Sequence, residues 1–243
     1  MENYKNKISL VVPVYNEEEN IGKFLEDVKK IDYYDEIIVV DNNSSDNSKE
    51  IIKATNVTYL HEDIQGYGAA LYKGMINCKN DIICTIEPDG SFDPSEIERF
   101  LPYLDSHDCV FGTRTNSKYI KFNAKMGLFL RFGNIAVAKL LGILFNYYYL
   151  TDVGCTFKVF KKEYVDRIKN DLDKIKDSTF QPYLMILLIS EKIRIIEIPV
   201  SYYPRIGYSK ITYDFTSSFI LGLRMILLII KIFFKKLLNK KNA

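Results

Sequence analysis

Five short apolar runs rich in β-branched residues alternate with helical patterns through the first half of the chain. The runs are ISLVVPV (8–14), EIIVV (36–40), VTYLH (57–61), DIICTI (81–86) and CVFGT (109–113). Between the first two, apolar residues recur at helical spacing: Ile21, Phe24, Leu25 and Val28. Strands separated by about 10 to 15 helical residues are typical of βαβ units. The sequence therefore predicts an α/β fold, a mostly parallel sheet flanked by helices on both faces.

Polar stretches lie at the ends of four of these predicted strands. They comprise residues 15–17, 41–45, 87–91 and 113–114. Ligands of an open parallel sheet bind beyond the carboxyl ends of its strands. We therefore expect the functional site at this edge of the sheet.

The cysteine and histidine content restricts the classes of site and compartment. Four cysteines form no CxxC pair and only His61 and His107 accompany them, which supports neither a zinc site nor a disulfide framework. Free thiols favour a reducing, cytosol-facing setting. The 243 residues, 47% of them hydrophobic, suffice for one large domain or one domain with an appendage. The first residues lack the pattern of a signal peptide, so we expect the fold to begin at the N-terminus.

The two halves of the chain carry opposite charge. Residues 1–113 contain 10 basic and 22 acidic residues, a net charge of −12, and residues 114–243 contain 23 and 9, a net charge of +14. A basic half fits nucleic acid, an anionic membrane surface or an anionic substrate. Long leucine and isoleucine runs accompany the charge here, whereas nucleic-acid modules interleave basic residues with aromatic ones. The pattern therefore favours a membrane surface or an anionic substrate.

The stretch EPDGSFDP at 87–94 places two carboxylates two positions apart around a proline. Pro88 favours extended geometry in the residue before it, so Glu87 and Asp89 project to the same side. Paired carboxylates just past a buried strand suit Mg²⁺ or Mn²⁺, although a solvated acidic turn is the alternative. Asp93 has a structural explanation, because DPSE reads as an N-cap, a proline at N1 and a glutamate, Glu96, at N3 of a capping box.

A set of ordered motifs resembles family 2 glycosyltransferases with the GT-A, Rossmann-like fold. The motifs are VVPVYNEEENI (11–21), VVDNNSSDNS (39–48), GYGAALYKGM (66–75), EPDGSFDP (87–94), FGTR (111–114), TDVGCTFKVF (151–160) and EIPVSYYPRIGYSKI (197–211). The chain is most similar to polyprenyl-phosphate hexose synthases of the dolichyl-phosphate mannose synthase type. The likeness extends from about residue 8 to residue 211. Each motif alone is weak, but together and in this order they are specific.

The resemblance implies inverting transfer of a hexose from a UDP- or GDP-sugar, with Mg²⁺ or Mn²⁺ bridging the diphosphate. By position, the implied metal ligands are Glu87, Asp89 and Ser91, with Glu87 in place of the usual first aspartate. The implied nucleotide-sugar contacts are Pro13, Tyr15, Glu17, Asp41, Gly68 and Glu87. Asn42 stands where many relatives carry a second aspartate, which leaves the nucleotide base open.

The implied acceptor is a dolichyl or undecaprenyl phosphate, whose anionic oxygen is already a nucleophile and needs no general base. Cations would then position the phosphate, and the candidates are Arg114, Arg131, Arg205 and Lys210. Asp152 would be the base for a hydroxyl acceptor, and with a phosphate it would orient the sugar or the basic loop. Gln181 lies where many relatives place an acidic residue, and it cannot serve as a base.

Several alternatives stay open at this stage. The nearest is the same fold with a hydroxyl acceptor in a polysaccharide, a glycolipid or a protein. A second is a GT-A scaffold without catalysis that serves as a membrane partner, and a third is a nucleic-acid module, which the aliphatic runs disfavour. Whether the chain forms a homo-oligomer or binds a membrane protein is also open.

The C-terminal apolar run predicts a helix that lies in the membrane interface. Residues 219–234 would cover roughly 24 Å, short of the ~30 Å hydrocarbon core. On this helix we expect a polar, charged stripe opposite an apolar stripe. The charged stripe consists of Ser217, Arg224, Lys231 and Lys235. The apolar stripe consists of Phe219, Leu223, Ile226, Ile230 and Phe233. Residues 126–150 would form a second interfacial patch. A core-packing or dimer-forming helix is the soluble alternative.

We therefore divide the chain at residue 211. Residues 1–211 would form the GT-A domain, with a nucleotide-sugar half at 1–113 and an acceptor half at 114–211, and residues 212–243 the amphipathic helix. We expect a peripheral or monotopic protein at the cytoplasmic face of a membrane, without a nucleic-acid partner.

Overall fold

The computed structural model describes Tyr4 and residues 7–124, 126–207 and 215–241. Seven strands form its central sheet. They are β1 (Ile8–Val14), β2 (Tyr34–Asp41), β3 (Thr58–His61), β4 (Ile82–Thr85), β5 (Cys109–Thr113), β6 (Lys158–Lys161) and β7 (Ile195–Pro199). Their spatial order is β3-β2-β1-β4-β6-β5-β7.

The sheet is parallel except at one strand. β1 pairs in parallel with β2 and β4, β2 with β3, and β5 with β7. β6 runs antiparallel between β4 and β5. All seven residues of β1 are buried, as expected of a central strand covered on both faces. The predicted mostly parallel α/β sheet is confirmed.

Helices cover both faces of the sheet. They are α1 (Ile21–Val28), α2 (Ser48–Lys53), α3 (Tyr67–Ile76), α4 (Ile97–Phe100), α5 (Leu128–Phe145), α6 (Lys162–Leu172), α7 (Phe180–Ser190) and α8 (Phe215–Lys241). One apolar core includes side chains of α1, α2 and α4, and the other includes side chains of α3, α5, α6, α7 and α8. Successive side chains of β1 point into opposite cores. Leu10 and Val12 belong to the core with α1, α2 and α4, and Val11 belongs to the core with α3 and α5–α8.

The sequence analysis missed β6, because its four residues include a fully buried lysine. Lys158 donates to the backbone oxygen of Cys155 and lies 5.4 Å from the ring centre of Phe111. Burial lowers the pKa of Lys158 to about 8. A buried cation interrupts the apolar pattern by which strands are recognised.

The residues after β4 confirm one part of the predicted cap and correct another. Oδ1 of Asp93 accepts a hydrogen bond from the backbone N–H of Ser95, 2.9 Å away, so Asp93 is the N-cap. Glu96 does not complete a capping box, because its carboxylate binds Arg99 and the backbone N–H of Ser201 instead. Asp93 therefore begins a helical turn, and Glu96 joins that turn to the segment after β7.

The apolar stretch of the C-terminal helix is longer than the sequence analysis predicted. α8 extends beyond residues 219–234 at both ends, and 216–238 of it is long and apolar enough to cross a membrane, as is α5. The predicted shortfall in length is therefore wrong. Lysine, leucine and asparagine continue the helix past the apolar run, because none of them ends a helix as proline or glycine does. The proposed division at residue 211 lies outside the described residues and stays a prediction.

The core contacts of α8 include residues outside the two predicted stripes. Met225 and Ile229 are buried in the core, whereas Phe219 and Leu223 of the predicted apolar stripe are exposed. Arg224, Lys231 and Lys235 are exposed as predicted. The exposed side of α8 therefore combines large apolar residues with cations.

Candidate active site

The candidate site lies where the order of the sheet reverses. The chain passes from β1 outward to β2 and β3 on one side, and β4 lies on the other side of β1. Loops leaving the carboxyl ends of β1 and β4 therefore diverge and leave a crevice between them. Residues 15–17 and 87–91 follow these two strands, as the sequence predicts.

A cavity of about 310 Å³ opens between these loops. Of the predicted nucleotide-sugar contacts it brings together four: Pro13, Tyr15, Glu17 and Glu87. Asn42, at the end of β2, also lines it, together with Arg205. Proline, an aromatic ring and carboxylates form an enclosure suited to the base and ribose of a nucleotide.

Two other predicted contacts do not line a cavity among the described residues. The carboxylate of Asp41 accepts hydrogen bonds from the backbone N–H of Ser44, at 3.0 Å, and from the hydroxyl of Tyr59, at 3.2 Å. Gly68 packs so closely that an added Cβ would lie 2.7 Å from the ring of Phe180. Asp41 thus shapes the loop after β2, and Gly68 allows α3 to approach α7.

Asp89 is buried, with 1% of its surface exposed, and lies against a cation. Its Oδ2 lies 2.7 Å from Nη1 of Arg205, and its Oδ1 accepts a hydrogen bond from the backbone N–H of Ser91. Arg205 also donates from Nη2 to Oε1 of Glu17, at 2.9 Å. One guanidinium therefore bridges the carboxylates that follow β1 and β4.

Glu87 shares this environment. Burial, followed by the charge of Asp89, raises the pKa of Glu87 to about 8, although Arg205 and Arg114 act in the opposite direction. Repulsion between neighbouring carboxylates is relieved by a proton or by a cation. The charge of Glu87 therefore depends on what binds beside it.

The segment that carries Arg205 covers the acidic loop. The backbone N–H of Tyr203 donates to the oxygen of Ser91, and that of Ile206 to the oxygen of Asp89, both at 2.9 Å. Gly90 has φ +77°, and its position leaves room for the side chain of Ile206. The segment 203–207 thus closes over the predicted metal ligands.

The donor atoms present fit a divalent cation shared with a phosphate. Among the residues that the structure describes, no three carboxylate, histidine or cysteine side chains lie close enough to hold a metal alone. Mg²⁺ at phosphate sites is bound by one or two carboxylates, and phosphate oxygens and water complete its shell. Glu87 and Asp89 provide such a pair, and Asp89 already faces a positive group. Ser91 is buried beside them.

A second cavity, of about 420 Å³, lies against the same acidic loop. Its charged and polar side includes Glu87, Asp89, Arg114 and Arg205. Its remaining wall comes largely from the N-terminal parts of α5 and α8, with Phe129, Leu130, Val137, Phe219, Leu223, Met225 and Ile226. The cavity therefore joins a charged end to an apolar one.

Arg114 and Asp152 form a fixed pair beside this cavity. Nε and Nη2 of Arg114 donate to the two oxygens of Asp152 at 2.8 and 2.9 Å. The backbone N–H groups of Arg114, Gly154 and Cys155 also donate to this carboxylate. Burial alone would raise the pKa of Asp152, but the charge and hydrogen bonds of Arg114, together with the charge of Lys158, hold it below its usual value. Asp152 is therefore an ionised anchor with five hydrogen bonds.

Glu197, a residue of β7, binds the backbone of the turn that carries Asp152. Its carboxylate accepts hydrogen bonds from the backbone N–H groups of Thr151, at 2.8 Å, and Asp152, at 3.0 Å. Burial raises the pKa of Glu197 to about 7, against the hydrogen bond from the Thr151 hydroxyl. The turn that carries Asp152 is thus fixed from two sides.

The remaining predicted acceptor contacts differ in where they lie. Arg205 lines the larger cavity together with Arg114 and also contacts Glu17 and Asp89, as described above. Arg131 lies on α5 with its Nε buried, and it is not one of the described residues that line either cavity. Lys210 lies outside the described residues.

The sequence analysis missed residues that connect the two cavities. Tyr67 and Ser178 line both cavities, together with Glu87 and Arg205. Gln181 lines the larger cavity and donates from Nε2 to the hydroxyl of Tyr67, at 2.8 Å. Tyr67 lies within the GYGAAL motif, so the sequence motif could have indicated it as a site residue. Ser178 has no sequence signal of its own.

Comparison with known proteins identifies the same family over most of the chain. The family model "Glycosyl transferase family 2" matches residues 9–169. An uncharacterized protein of Methanocaldococcus jannaschii is 31% identical over 81% of each chain. A dolichyl-phosphate hexose transferase of Haloferax volcanii is 26% identical over 84% of this chain and 86% of its own. An undecaprenyl-phosphate 4-deoxy-4-formamido-L-arabinose transferase of Pseudomonas fluorescens is 29% identical over 73% of this chain, which spans only 52% of that relative.

Solved structures give the same fold. Glucosyl-3-phosphoglycerate synthase of Mycobacterium tuberculosis, in complex with Mn²⁺, UDP and phosphoglyceric acid, superposes with a TM-score of 0.69 at 15% identity. The match covers 93% of this chain and 78% of the synthase. At this identity the likeness concerns the fold, and it confirms the predicted GT-A architecture.

Proposed function

The chain belongs to glycosyl transferase family 2, and we propose that it moves a hexose, with inversion, from a nucleotide diphosphate sugar to a polyprenyl phosphate at a membrane surface. The observation that carries this proposal is the larger cavity, which joins a charged end at Asp89 and Arg114 to a wall from α5 and α8. An acceptor with an anionic head and a long apolar chain fits both ends. The names of the polyprenyl-phosphate-dependent relatives agree with it.

The state of Asp152 favours a phosphate acceptor over a hydroxyl acceptor. A general base must bind a proton, yet Asp152 has a lowered pKa and five hydrogen bonds to its two oxygens. A carboxylate that accepts so many bonds is a weak base. A phosphate oxygen is ionised near neutral pH and needs no base. Asp152 therefore acts by holding Arg114, and Arg114 binds the acceptor phosphate.

The smaller cavity is the donor site in this proposal. Tyr15 and Glu17 would contact the base and ribose, and Glu87 lies where this cavity meets the larger one. The diphosphate would then lie beside Asp89, with the sugar at the junction of the two cavities. Direct attack by the acceptor oxygen from the larger cavity gives inversion in one displacement.

The donor diphosphate would be held together with Mg²⁺ or Mn²⁺. Glu87 and Asp89 would hold the cation, with Ser91 beside them, and the bound cation would offset the charge that develops on the departing diphosphate. In this proposal Arg205 turns away from Asp89 when the metal binds, since two cations beside one carboxylate repel each other. The released guanidinium remains close enough to both cavities to contact a phosphate of either substrate.

The exposed face of α8 supports membrane association. Met225 and Ile229 pack into the core, which keeps the helix on the domain, while Leu227 and Phe234 are exposed on the same helix as the cations Arg224 and Lys231. Leucine with flanking cations suits the headgroup boundary of an anionic bilayer. We therefore propose a monotopic helix that lies along the membrane. The four buried thiols agree with the cytoplasmic face.

The proposal is tested by transfer from radiolabelled UDP-glucose and GDP-mannose by purified full-length protein with Mg²⁺ or Mn²⁺. Undecaprenyl phosphate and the free polyprenol serve as paired acceptors, and product is measured by extraction into organic solvent. We expect label in the lipid phosphate only. Transfer to the alcohol but not to the phosphate would overturn the acceptor assignment.

A further inference from the structure

Several residues that line the larger cavity carry buried polar atoms for which the described residues provide no hydrogen-bond partner. Within the described parts of the chain, six buried side-chain nitrogen or oxygen atoms have no hydrogen-bond partner. Three of them belong to residues that line this cavity: Oε1 of Gln181, Oγ1 of Thr156 and Nε of Arg205. Leaving a buried polar atom unpaired is costly, so a group of them in one cavity indicates a polar ligand.

Gln181 lies in the first turn of α7 with 3% of its surface exposed. Its Nε2 donates to the hydroxyl of Tyr67, so the amide is anchored at one end. The carbonyl oxygen is the end that has no partner among the described residues. Tyr67 lines both cavities, which places the Gln181 amide next to their junction.

Thr156 lies near the same junction, just before the antiparallel strand β6. Its surface is 6% exposed, and its backbone oxygen accepts a hydrogen bond from the hydroxyl of Thr85, at 2.6 Å. β6 is antiparallel to β4 and pairs Lys158 with Thr85. The residues just before β6 therefore lie at the carboxyl end of β4, beside the loop that carries Glu87.

The chemistry of these atoms selects one part of the substrate. An amide oxygen accepts hydrogen bonds and repels anions, so it suits neither the diphosphate nor the acceptor phosphate, which are ionised at neutral pH. A sugar hydroxyl can donate to Gln181 and can exchange hydrogen bonds with the Thr156 hydroxyl. The transferred sugar is also the group that must occupy the junction between the two substrates.

We propose that Gln181 and Thr156 determine sugar specificity, each by a hydrogen bond to a different hydroxyl group of the transferred hexose. Tyr67 positions the Gln181 amide for this contact. This inference rests on the proposed function and deepens it. A site built to bind a hydroxyl group discriminates against the analogue that lacks it, because its own polar atom is then left unpaired. The site would therefore select hexoses that keep free hydroxyls at these two positions.

Donor binding tests this without lipid or turnover. Dissociation constants of full-length protein with Mn²⁺ are measured by titration calorimetry for UDP-glucose, GDP-mannose and their monodeoxy analogues at carbons 2, 3, 4 and 6. We expect the wild type to bind two monodeoxy analogues about tenfold more weakly than the parent sugar. Gln181→Leu should lose the discrimination at one of these positions and Thr156→Val at the other. The remaining positions should be unaffected in each variant.

Thr58→Val is the matched control, since Thr58 is an exposed residue of β3 and the substitution is chemically identical. It should keep the wild-type profile. A flat wild-type profile, or variant profiles that parallel the wild type, would overturn this inference while leaving the proposed function intact. Failure of both parent nucleotide sugars to bind would overturn the proposed function and this inference with it.

Discussion

Two arginine–aspartate pairs, each with a buried aspartate, belong to the proposed acceptor and donor sides of the site, and their surroundings differ. On the acceptor side, Asp152 receives two bonds from the Arg114 side chain and three from backbone N–H groups. On the donor side, Asp89 receives one contact from Arg205 and one from a backbone N–H, and Arg205 is shared with Glu17. Bidentate pairs with backbone support are the more rigid arrangement.

The difference assigns the two carboxylates different tasks. Asp152 cannot exchange its partner without breaking a network of backbone bonds, so its negative charge serves to hold one guanidinium in place. Asp89 can exchange Arg205 for another cation by movement of one side chain. The fixed pair is suited to position an acceptor, and the exchangeable pair to admit a metal with its nucleotide.

The largest effect is expected from the exchangeable pair. Asp89→Asn should lower turnover at least about 10²-fold, because metal stabilisation of the leaving group is worth several kcal/mol. Initial rates with labelled donor provide the measurement. Asp93→Asn should be nearly silent, since Asp93 is an N-cap and asparagine caps helices equally well. Full activity in excess EDTA would contradict the assignment of Asp89 to a metal.

Changes to the fixed pair, Arg114 and Asp152, should weaken the binding of the acceptor. Arg114→Ala should raise KM for undecaprenyl phosphate roughly 10- to 100-fold, because one charge-assisted contact is lost. Asp152→Asn should move KM in the same direction, and the double variant should be no worse than the single ones, because the two residues act as a unit. Assays run at low temperature, since breaking a buried pair destabilises the fold. Abolition of transfer in Asp152→Asn, with Arg114→Ala near normal, would identify Asp152 as a base.

A double substitution on the exposed face of α8 tests membrane binding without changing either arginine–aspartate pair. Leu227 and Phe234 are 66% and 57% exposed on α8, and neither lines either cavity. Replacing both with glutamate should weaken binding to anionic vesicles about tenfold or more, because apolar area no longer enters the bilayer. Nucleotide binding should be unchanged, and high salt should weaken vesicle binding of the wild type.

The matched control for this variant is Lys23→Glu, which makes the same change in net charge at an exposed position of α1. It should bind vesicles like the wild type, since α1 covers the other face of the sheet. Equal loss in both variants would show that net charge, and not the apolar face of α8, drives the association.

The smallest expected effect concerns pH and stability on the acceptor side. The folded pKa of Glu197, about 7, lies above its unfolded value, so its stabilising contribution is complete below about pH 4.3 and is lost as pH rises through 7. Asp152 has a lowered pKa, so its contribution is present above about pH 3.9 and is lost in acid. As the pH rises from 5 to 8, the free energy of unfolding of Glu197→Gln, measured with urea, should therefore increase relative to that of the wild type. A constant difference across this range would contradict it.

The donor side could be predicted from the sequence, and the acceptor side only in part. The parallel strands are continuous apolar runs with polar residues at their ends, so β1 and the loop carrying Glu87 and Asp89 were recognisable. The pairing of Arg114 with Asp152 was not, because it joins residues far apart in the chain through an antiparallel strand that contains a buried lysine. Nor was the ion pair of Glu17 with Arg205, which depends on how the segment after β7 folds back.

The helices show the same limit. The sequence predicted α8 within 212–243, but it placed only 219–234 in the apolar stretch, whereas 216–238 is long and apolar enough to cross a membrane. The sequence also did not indicate which residues of α8 are buried against α5 and α7, such as Met225 and Ile229, while other large apolar residues remain outside. A sequence pattern reports apolarity, but only packing decides whether protein or lipid covers it.

The reversed strand has a consequence for biosynthesis. Among the residues that the structure describes, β5 pairs with β6 and β7 alone, so after Thr113 leaves the ribosome β5 has no such neighbour until residues 158–199 follow. The first four strands can pair with one another earlier, as β3-β2-β1-β4, which leaves one edge of β4 open. Open strand edges on a nascent chain invite aggregation. Translation through this interval is therefore the stage at which a chaperone would have the most to protect, and slowing synthesis there should lower the yield of soluble protein.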